Sequence, residues 1–349
     1  MRADQPSTGQ PGRAGLLTPR GVTIKGTGFA LPSRVLANQD LEKLMDTSDE
    51  WIVQRTGIRT RRIIDKDKKE STWTLSTEAL RNAITASGLK GSDLDMVIVA
   101  TMTPEMPCPA SACRVAAAVG AGHAGAWDLN AACSGFVYGL NVAEALIRSG
   151  AYRTIGLVGA DTLSRHMDYS TSGRGTAIIF GDGAGAVVIQ ATDDPRQGVL
   201  AQAMHSDGEG WKDIFIPTCP ADFPDCTPVD PAKYGFVQMN GATVFKFAVG
   251  TFPEIIAQTL SRAGLQASDV DMYVCHQSNA RILAAARERF GLPPEKLYVN
   301  IERYGNTVGA SVPICLHELW ASGRVQPGMK VMFVAFGGGL TWGTSLWQL

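Results

Sequence analysis

Residues 88–99, GLKGSDLDMVIV, recur at 264–275 as GLQASDVDMYVC, a shift of 176 residues with Gly, Leu, Ser, both Asp and Met in register. In each copy an Ala-rich amphipathic segment, around 76–87 and 252–263, runs up to the glycine, where a helix would end, and a short β-branched strand follows the aspartates. A repeat spaced at about half the chain restricts the fold to two copies of one helix–turn–strand architecture. We therefore expect a duplicated α/β fold with an N-terminal half over residues 21–195 and a C-terminal half over 196–349. A second echo, FGDGAGAVVI at 180–189 and FGGGLTWGTS at 336–345, reads in both places as strand, glycine turn, strand. The stretch GDGAGA at 181–186 is not a dinucleotide loop, because AVVIQ follows it and that fingerprint needs a helix there.

The 349 residues are 45% hydrophobic, enough for a large core. Lys and Arg total 32 against 33 Asp and Glu, a net charge of −1. No global field draws the chain to nucleic acid or an anionic membrane, so an acidic partner must meet a local basic patch. No apolar run reaches the roughly 18 residues of a membrane span. Residues 1–20, rich in Gly, Pro and polar side chains, read as a flexible tail without a signal core. The seven cysteines are odd in number, scattered and free of CxxC pairs. The neighbours Cys275 and His276 would point to opposite faces of a strand. These features predict a reducing, cytoplasmic setting and no metal site.

WDLNAACSGFVYGL at 127–140 changes from buried strand to turn to amphipathic helix, the helix ending at Gly150. Cys133 sits at that corner, where a helix N-terminus favours the thiolate and predicts a thiol pKa below its ordinary value. His276 holds the equivalent corner in the second half, where DMYVCHQ meets the helix of SNARILAAARERF. The other histidines, 123, 166, 205 and 317, read as loop or helix surface. Asn306, in YGNTVGAS, precedes a helix of small residues and reads either as a cap or as a functional amide.

DLNAACSGF, CHQSNARI and YGNTVGAS, in this order, resemble the Cys, His and Asn signatures of β-ketoacyl-acyl carrier protein synthase III. The resemblance runs from about Gly21 onward and includes DTSDEWIVQRTGIRTRRI at 46–63. It implies a thiolase fold of two pseudo-symmetric αβαβα halves in five layers, as a homodimer. It implies that Cys133 takes an acyl group from acyl-CoA, a substrate and not a resident cofactor. Malonyl-acyl carrier protein then loses CO₂ and its enolate attacks the thioester, opening fatty-acid synthesis. His276 and Asn306 would donate to the enolate oxygen, and the N–H groups of Cys133 and Gly338 would form the oxyanion hole. By motif match, Thr47, Trp51, Arg55, Arg174, Phe245 and Asn279 would hold CoA. Lys246 and Arg281 match carrier-protein docking positions, and Arg289 falls near Arg281 on the same helix face.

The chain also departs from the family. Cys108 stands where many members carry Phe at the end of the acyl pocket, which predicts room for a longer or branched chain. Ala242 replaces a frequent Asn near the CoA channel, and Gly208–Tyr234, with five prolines, is longer than the usual loop. The alternative reading is a same-fold acyltransferase or condensing enzyme of a secondary-metabolite pathway.

Overall fold

A computed structural model describes residues 20–218 and 229–349. The expected tail (1–19) and the centre of the proline-rich segment (219–228) lie outside the described residues. In chain order the first part comprises β1 (Gly21–Ala30), β2 (Arg34–Ala37), α1 (Asn38–Leu41), α2 (Asp49–Thr56), β3 (Thr60–Ile63), α3 (Thr72–Ser87), β4 (Met96–Ala100), α4 (Ser111–Ala118), β5 (Gly125–Leu129), α5 (Gly135–Arg148), β6 (Thr154–Asp161), α6 (Arg174–Ala177) and β7 (Gly183–Thr192). The second comprises β8 (Gly198–Ser206), β9 (Ile214–Phe215), β10 (Gln238–Met239), α7 (Gly241–Ala263), β11 (Met272–Cys275), α8 (Ala280–Arg289), α9 (Ile301–Tyr304), α10 (Ser311–Ala321), β12 (Lys330–Gly337) and β13 (Thr341–Gln348).

The sequence repeat has a physical cause. Helices α3 and α7 end at Gly88 (φ +72°) and Gly264 (φ +65°), left-handed positions that favour glycine. The first Asp of each copy caps the following turn: Asp93 accepts from the Lys90 N–H and Asp269 from the Gln266 N–H, both at 2.8 Å. The second ties that turn to the neighbouring strand, Asp95 accepting from Thr154 N–H at 2.9 Å and Asp271 from Lys330 N–H at 2.7 Å. The copies then enter β4 and β11.

The principal sheets are related strand by strand. The first has the order β1-β7-β6-β4-β5 and the second β8-β13-β12-β11. In both, the strand carrying the repeat, β4 or β11, runs parallel to its inner neighbour and the pairs beyond that neighbour are antiparallel, while β5 adds a second parallel pair at the other side of β4. The counterpart of β5 in the second sheet shrinks to a single parallel bridge between Tyr273 and Leu297.

Five layers follow from which faces are apolar. Buried residues of α5 (Phe136, Val137, Leu140) and α10 (Val312, Leu316, Leu319) share one core with the inward faces of both sheets. Helices α3 and α4 cover the outer face of the first sheet, and α7 and α8 that of the second. Gly185 makes the close packing possible: a Cβ there would lie 2.8 Å from the Ile314 nitrogen of α10. That packing accounts for Gly183 and Gly185 of GDGAGA, while a Cβ on Gly181 would clash with the Tyr304 carbonyl.

One expectation needs correction. The glycine turn joins two paired strands only in the second copy, between β12 and β13. Before the first copy lies the short helix α6, then a single bridge from Phe180 to Asn306. The backbone there is taken up elsewhere: the buried Arg61 guanidinium donates to the Ile178 carbonyl at 2.8 Å, and Gly181 N–H to the Asn306 carbonyl at 2.9 Å.

Candidate active site

The two helices of the middle layer, α5 and α10, present their N-termini to one cavity. Cys133 lies in a single 3-10 turn, Ala132–Ser134, leading into α5. Ala132 is left-handed (φ +45°), a conformation an L side chain adopts at a cost of roughly 1–3 kcal/mol and which sharpens the corner under the thiol. The end of β12 lies directly on this turn: a Cβ on Gly337 would sit 2.7 Å from the Cys133 nitrogen and 3.0 Å from its Cβ. Thr341 Oγ1 donates to the Ala131 carbonyl at 3.1 Å, and Ser134 Oγ to the Thr341 carbonyl at 3.2 Å. The Cys133 turn is thus tied to β13. The Gly338 N–H has no acceptor among the described residues.

The expected lowering of the thiol pKa is not found. Burial pushes Cys133 up, the Asp161 carboxylate adds to this, and the Cys133 N–H opposes both. Cys133 is only 6% exposed, so desolvation outweighs the helix terminus. Asp161, wholly buried, accepts from Met102 N–H at 2.9 Å, Thr103 Oγ1 at 3.0 Å and Gly309 N–H at 3.1 Å. Burial raises its own pKa to about 6. It joins the loop after β4 to the turn before α10.

His276 follows β11 and donates its backbone N–H to the Val334 carbonyl at 2.8 Å. Its Nδ1 lies 2.7 Å from Ser311 Oγ, and its ring meets Phe336 edge to face at 5.5 Å. Burial pushes its pKa down to about 3, so the ring is neutral. Asn306 is fixed on its backbone by Ile179 O and Gly181 N–H, both at 2.9 Å. Its Oδ1 accepts from Val308 N–H at 2.8 Å, which turns Nδ2 outward as a free donor. The oxygen thus caps the turn, and the amide nitrogen is left to the cavity that the residue lines. Val308, β-branched and left-handed at φ +53°, is the strained partner of Ala132 on the second helix.

These groups open on a cavity of about 540 Å³ whose wall includes Cys133, His276, Asn306 and Gly338. Ile178, Phe180, Ile214 and Met239 form an apolar part, while Trp51, Arg55, Ala242, Phe245, Asn279 and Arg281 complete the wall. Arg55 lies 4.6 Å from the centre of the Trp51 ring and Arg174 5.2 Å, two cations against one aromatic side chain. Arg281 lies 5.2 Å over Phe245, at the cavity and not on a remote patch.

Other expected residues stand elsewhere. Thr47 and Arg174 are not in the wall, although Arg174 reaches it through Trp51. Asn279 caps α8 through Arg281 N–H at 2.8 Å and donates to the Arg55 carbonyl at 3.0 Å, so its amide braces α2 against α8. Lys246 and Arg289 are exposed and outside the wall. Cys108 is exposed on the loop between β4 and α4 and does not line the cavity of its own chain, because that loop runs outward from Met102. Sequence reasoning passed over Gly337, Ser311 and Asp161. Only Gly337 left a signal, the first position of the second glycine run.

Residues 127–208 match the family described as 3-oxoacyl-[acyl-carrier-protein (ACP)] synthase III, and residues 260–349 match its C-terminal part. The chain is 43% identical over 323 residues to a β-ketoacyl-[acyl-carrier-protein] synthase III of Caldanaerobacter subterraneus subsp. tengcongensis, covering 93% of this chain and 96% of that one. The crystal structure of 3-oxoacyl-[acyl-carrier-protein] synthase III from Aquifex aeolicus superposes with a TM-score of 0.86 at 40% identity, covering 94% of this chain and 100% of that one. A priming β-ketosynthase of a polyketide biosynthetic pathway matches equally in shape, with a TM-score of 0.86 over 96% of this chain and 98% of that one, but at 32% identity. The chain therefore belongs to the β-ketoacyl-acyl carrier protein synthase III family, thiolase-fold acyltransferases, and its activity is the condensation that initiates fatty-acid synthesis.

Proposed function

We propose that Cys133 carries the acyl group and that His276 and Asn306 stabilise the enolate that extends it. The observation that carries this reading is the convergence of a corner cysteine, a neutral buried imidazole and a free amide donor on one cavity wall. In the first half-reaction Cys133 Sγ attacks the thioester carbon of acyl-CoA. The carbonyl oxygen gains charge between the N–H groups of Cys133 and Gly338, and the CoA sulfur leaves with the proton that the thiol gives up. Burial holds the resting thiol neutral, so its proton must pass on as the sulfur attacks.

In the second half-reaction malonyl-acyl carrier protein enters after CoA has left. Loss of CO₂ leaves an electron pair on the α-carbon, delocalised onto the thioester oxygen, where His276 and Asn306 donate. Being neutral, both donate without binding the malonyl carboxylate as a cation would. The carbanion forms the new C–C bond at the acyl thioester carbon, and Cys133 leaves as thiolate and regains a proton from solvent. Trp51 and Arg55, with Arg174 behind the ring, receive the adenine and phosphates of CoA, and Phe245 borders the pantetheine arm. Lys246, Arg281 and Arg289 meet the acidic carrier protein.

The enzyme acts in the cytoplasm as a homodimer without a permanently bound cofactor. The exposed edge of β5 and the outward loop bearing Cys108 support a second copy on that side. The decisive experiment is Asn306→Ala. Acylation by acyl-CoA should persist within about twofold while condensation falls about 100-fold, as for loss of one oxyanion donor. Full condensation in the variant would reduce Asn306 to a helix cap.

A further inference from the structure

We infer that Ser311 is the positioning residue that sets the tautomer of His276, so that the imidazole turns an N–H and not a lone pair toward the forming enolate. The inference rests on the role proposed above for His276. It follows from counting hydrogens in a sealed corner. His276 and Ser311 are 1% and 2% exposed, and Nδ1 lies 2.7 Å from Ser311 Oγ. The same oxygen accepts from the Gln277 N–H at 3.3 Å. A serine hydroxyl has one hydrogen to give, and among the described residues the only acceptor within reach of this one is Nδ1.

If the ring carried its proton on Nδ1, two N–H groups would donate to the Ser311 oxygen and the hydroxyl's own hydrogen would be buried without an acceptor, costing roughly 1–3 kcal/mol. With the hydroxyl donating to Nδ1, both Nδ1 and the Ser311 hydroxyl are satisfied and the ring proton is left on Nε2. His276 stays neutral because burial disfavours the imidazolium, so the tautomer and not the charge decides what the ring offers. Ser311 is in the first turn of α10, two residues beyond Gly309, whose N–H is bound by Asp161. One helix start therefore orients both donors, Asn306 through the Val308 N–H and His276 through the Ser311 hydroxyl.

The test reads the ring directly. In ¹⁵N-histidine-labelled protein, the signals of His276, assigned by their loss in His276→Gln, should show a proton on Nε2 and a bare, hydrogen-bonded Nδ1. A proton on Nδ1 would overturn the inference. Ser311→Ala should acylate Cys133 within about twofold of the parent yet condense about tenfold more slowly, and Ser311→Thr, which keeps the hydroxyl, should recover most of the rate. Parental condensation in Ser311→Ala would also overturn it. Should Ser311→Ala fail to fold, the spectrum of the parent still decides. Parental condensation in His276→Gln would remove the role of His276 itself, a separable failure because the spectrum does not depend on turnover.

Discussion

At the scale of single residues, the site is built from groups kept neutral by burial. His276 has an ordinary pKa of 6.5 and is pushed down to about 3 in the folded protein. Between these values the unfolded chain binds a proton that the folded chain refuses, so stability is lost as pH falls below about 6.5, at about 1.4 kcal/mol per unit. Asp161 and Asp182, whose pKa values burial raises to about 6, act with the opposite sign, but they are common to parent and variant and cancel in a comparison. From pH 7 to pH 5, urea unfolding of the parent should therefore lose about 2 kcal/mol more than that of His276→Gln. Parallel pH dependences would show that the ring is solvated or charge-paired.

At the scale of elements, the catalytic loops are held by a network on α10. The Glu318 carboxylate receives Arg303 Nη1 and Nη2 at 2.8 and 3.0 Å, Asn300 Nδ2 at 2.8 Å and the Tyr304 hydroxyl at 2.8 Å. These partners span α9, which feeds Gly305 and Asn306. Glu318→Gln should slow condensation about fivefold and cost about 1 kcal/mol of stability, because a neutral amide cannot take the bidentate arginine. Acylation should stay within about twofold in transient kinetics, and equal loss of both half-reactions would show that Glu318 supports the whole cavity. Much of this scale was legible in the sequence. The two Asp positions of the repeat fixed the turns before β4 and β11, and the corner motifs placed Cys133, His276 and Asn306. What could not be read there depends on contacts between segments remote in the chain. The desolvation that raises Cys133, the bridge from Phe180 to Asn306 and the Ser311 contact each join residues far apart in the chain. The outward course of the loop bearing Cys108 is likewise not read from its motif, since motif position does not tell which way a loop leaves the core.

At the scale of the whole molecule, a chain of net charge −1 must concentrate its positive charge to meet an acidic carrier protein. Arg281 lies on the cavity wall over Phe245, so its substitution would disturb CoA as well. Lys246 and Arg289 are exposed and off the wall, which makes them the cleaner probes. Reversing both, Lys246→Glu with Arg289→Glu, should raise KM for malonyl-acyl carrier protein about tenfold at low salt and leave acylation by acyl-CoA unchanged. The gap should close as salt rises, because exposed charges are screened. An unchanged KM would place the docking surface elsewhere. The central claim, an acyl group passed through Cys133 to a malonyl-derived carbanion, is tested most directly by intact-protein mass spectrometry. Parent enzyme given acyl-CoA should gain one acyl mass, then lose it on addition of malonyl-acyl carrier protein as the β-ketoacyl product appears on the carrier. Cys133→Ala should gain none, and a single acyl mass on that variant, or an acyl mass on the parent that malonyl-acyl carrier protein fails to remove, would contradict the account.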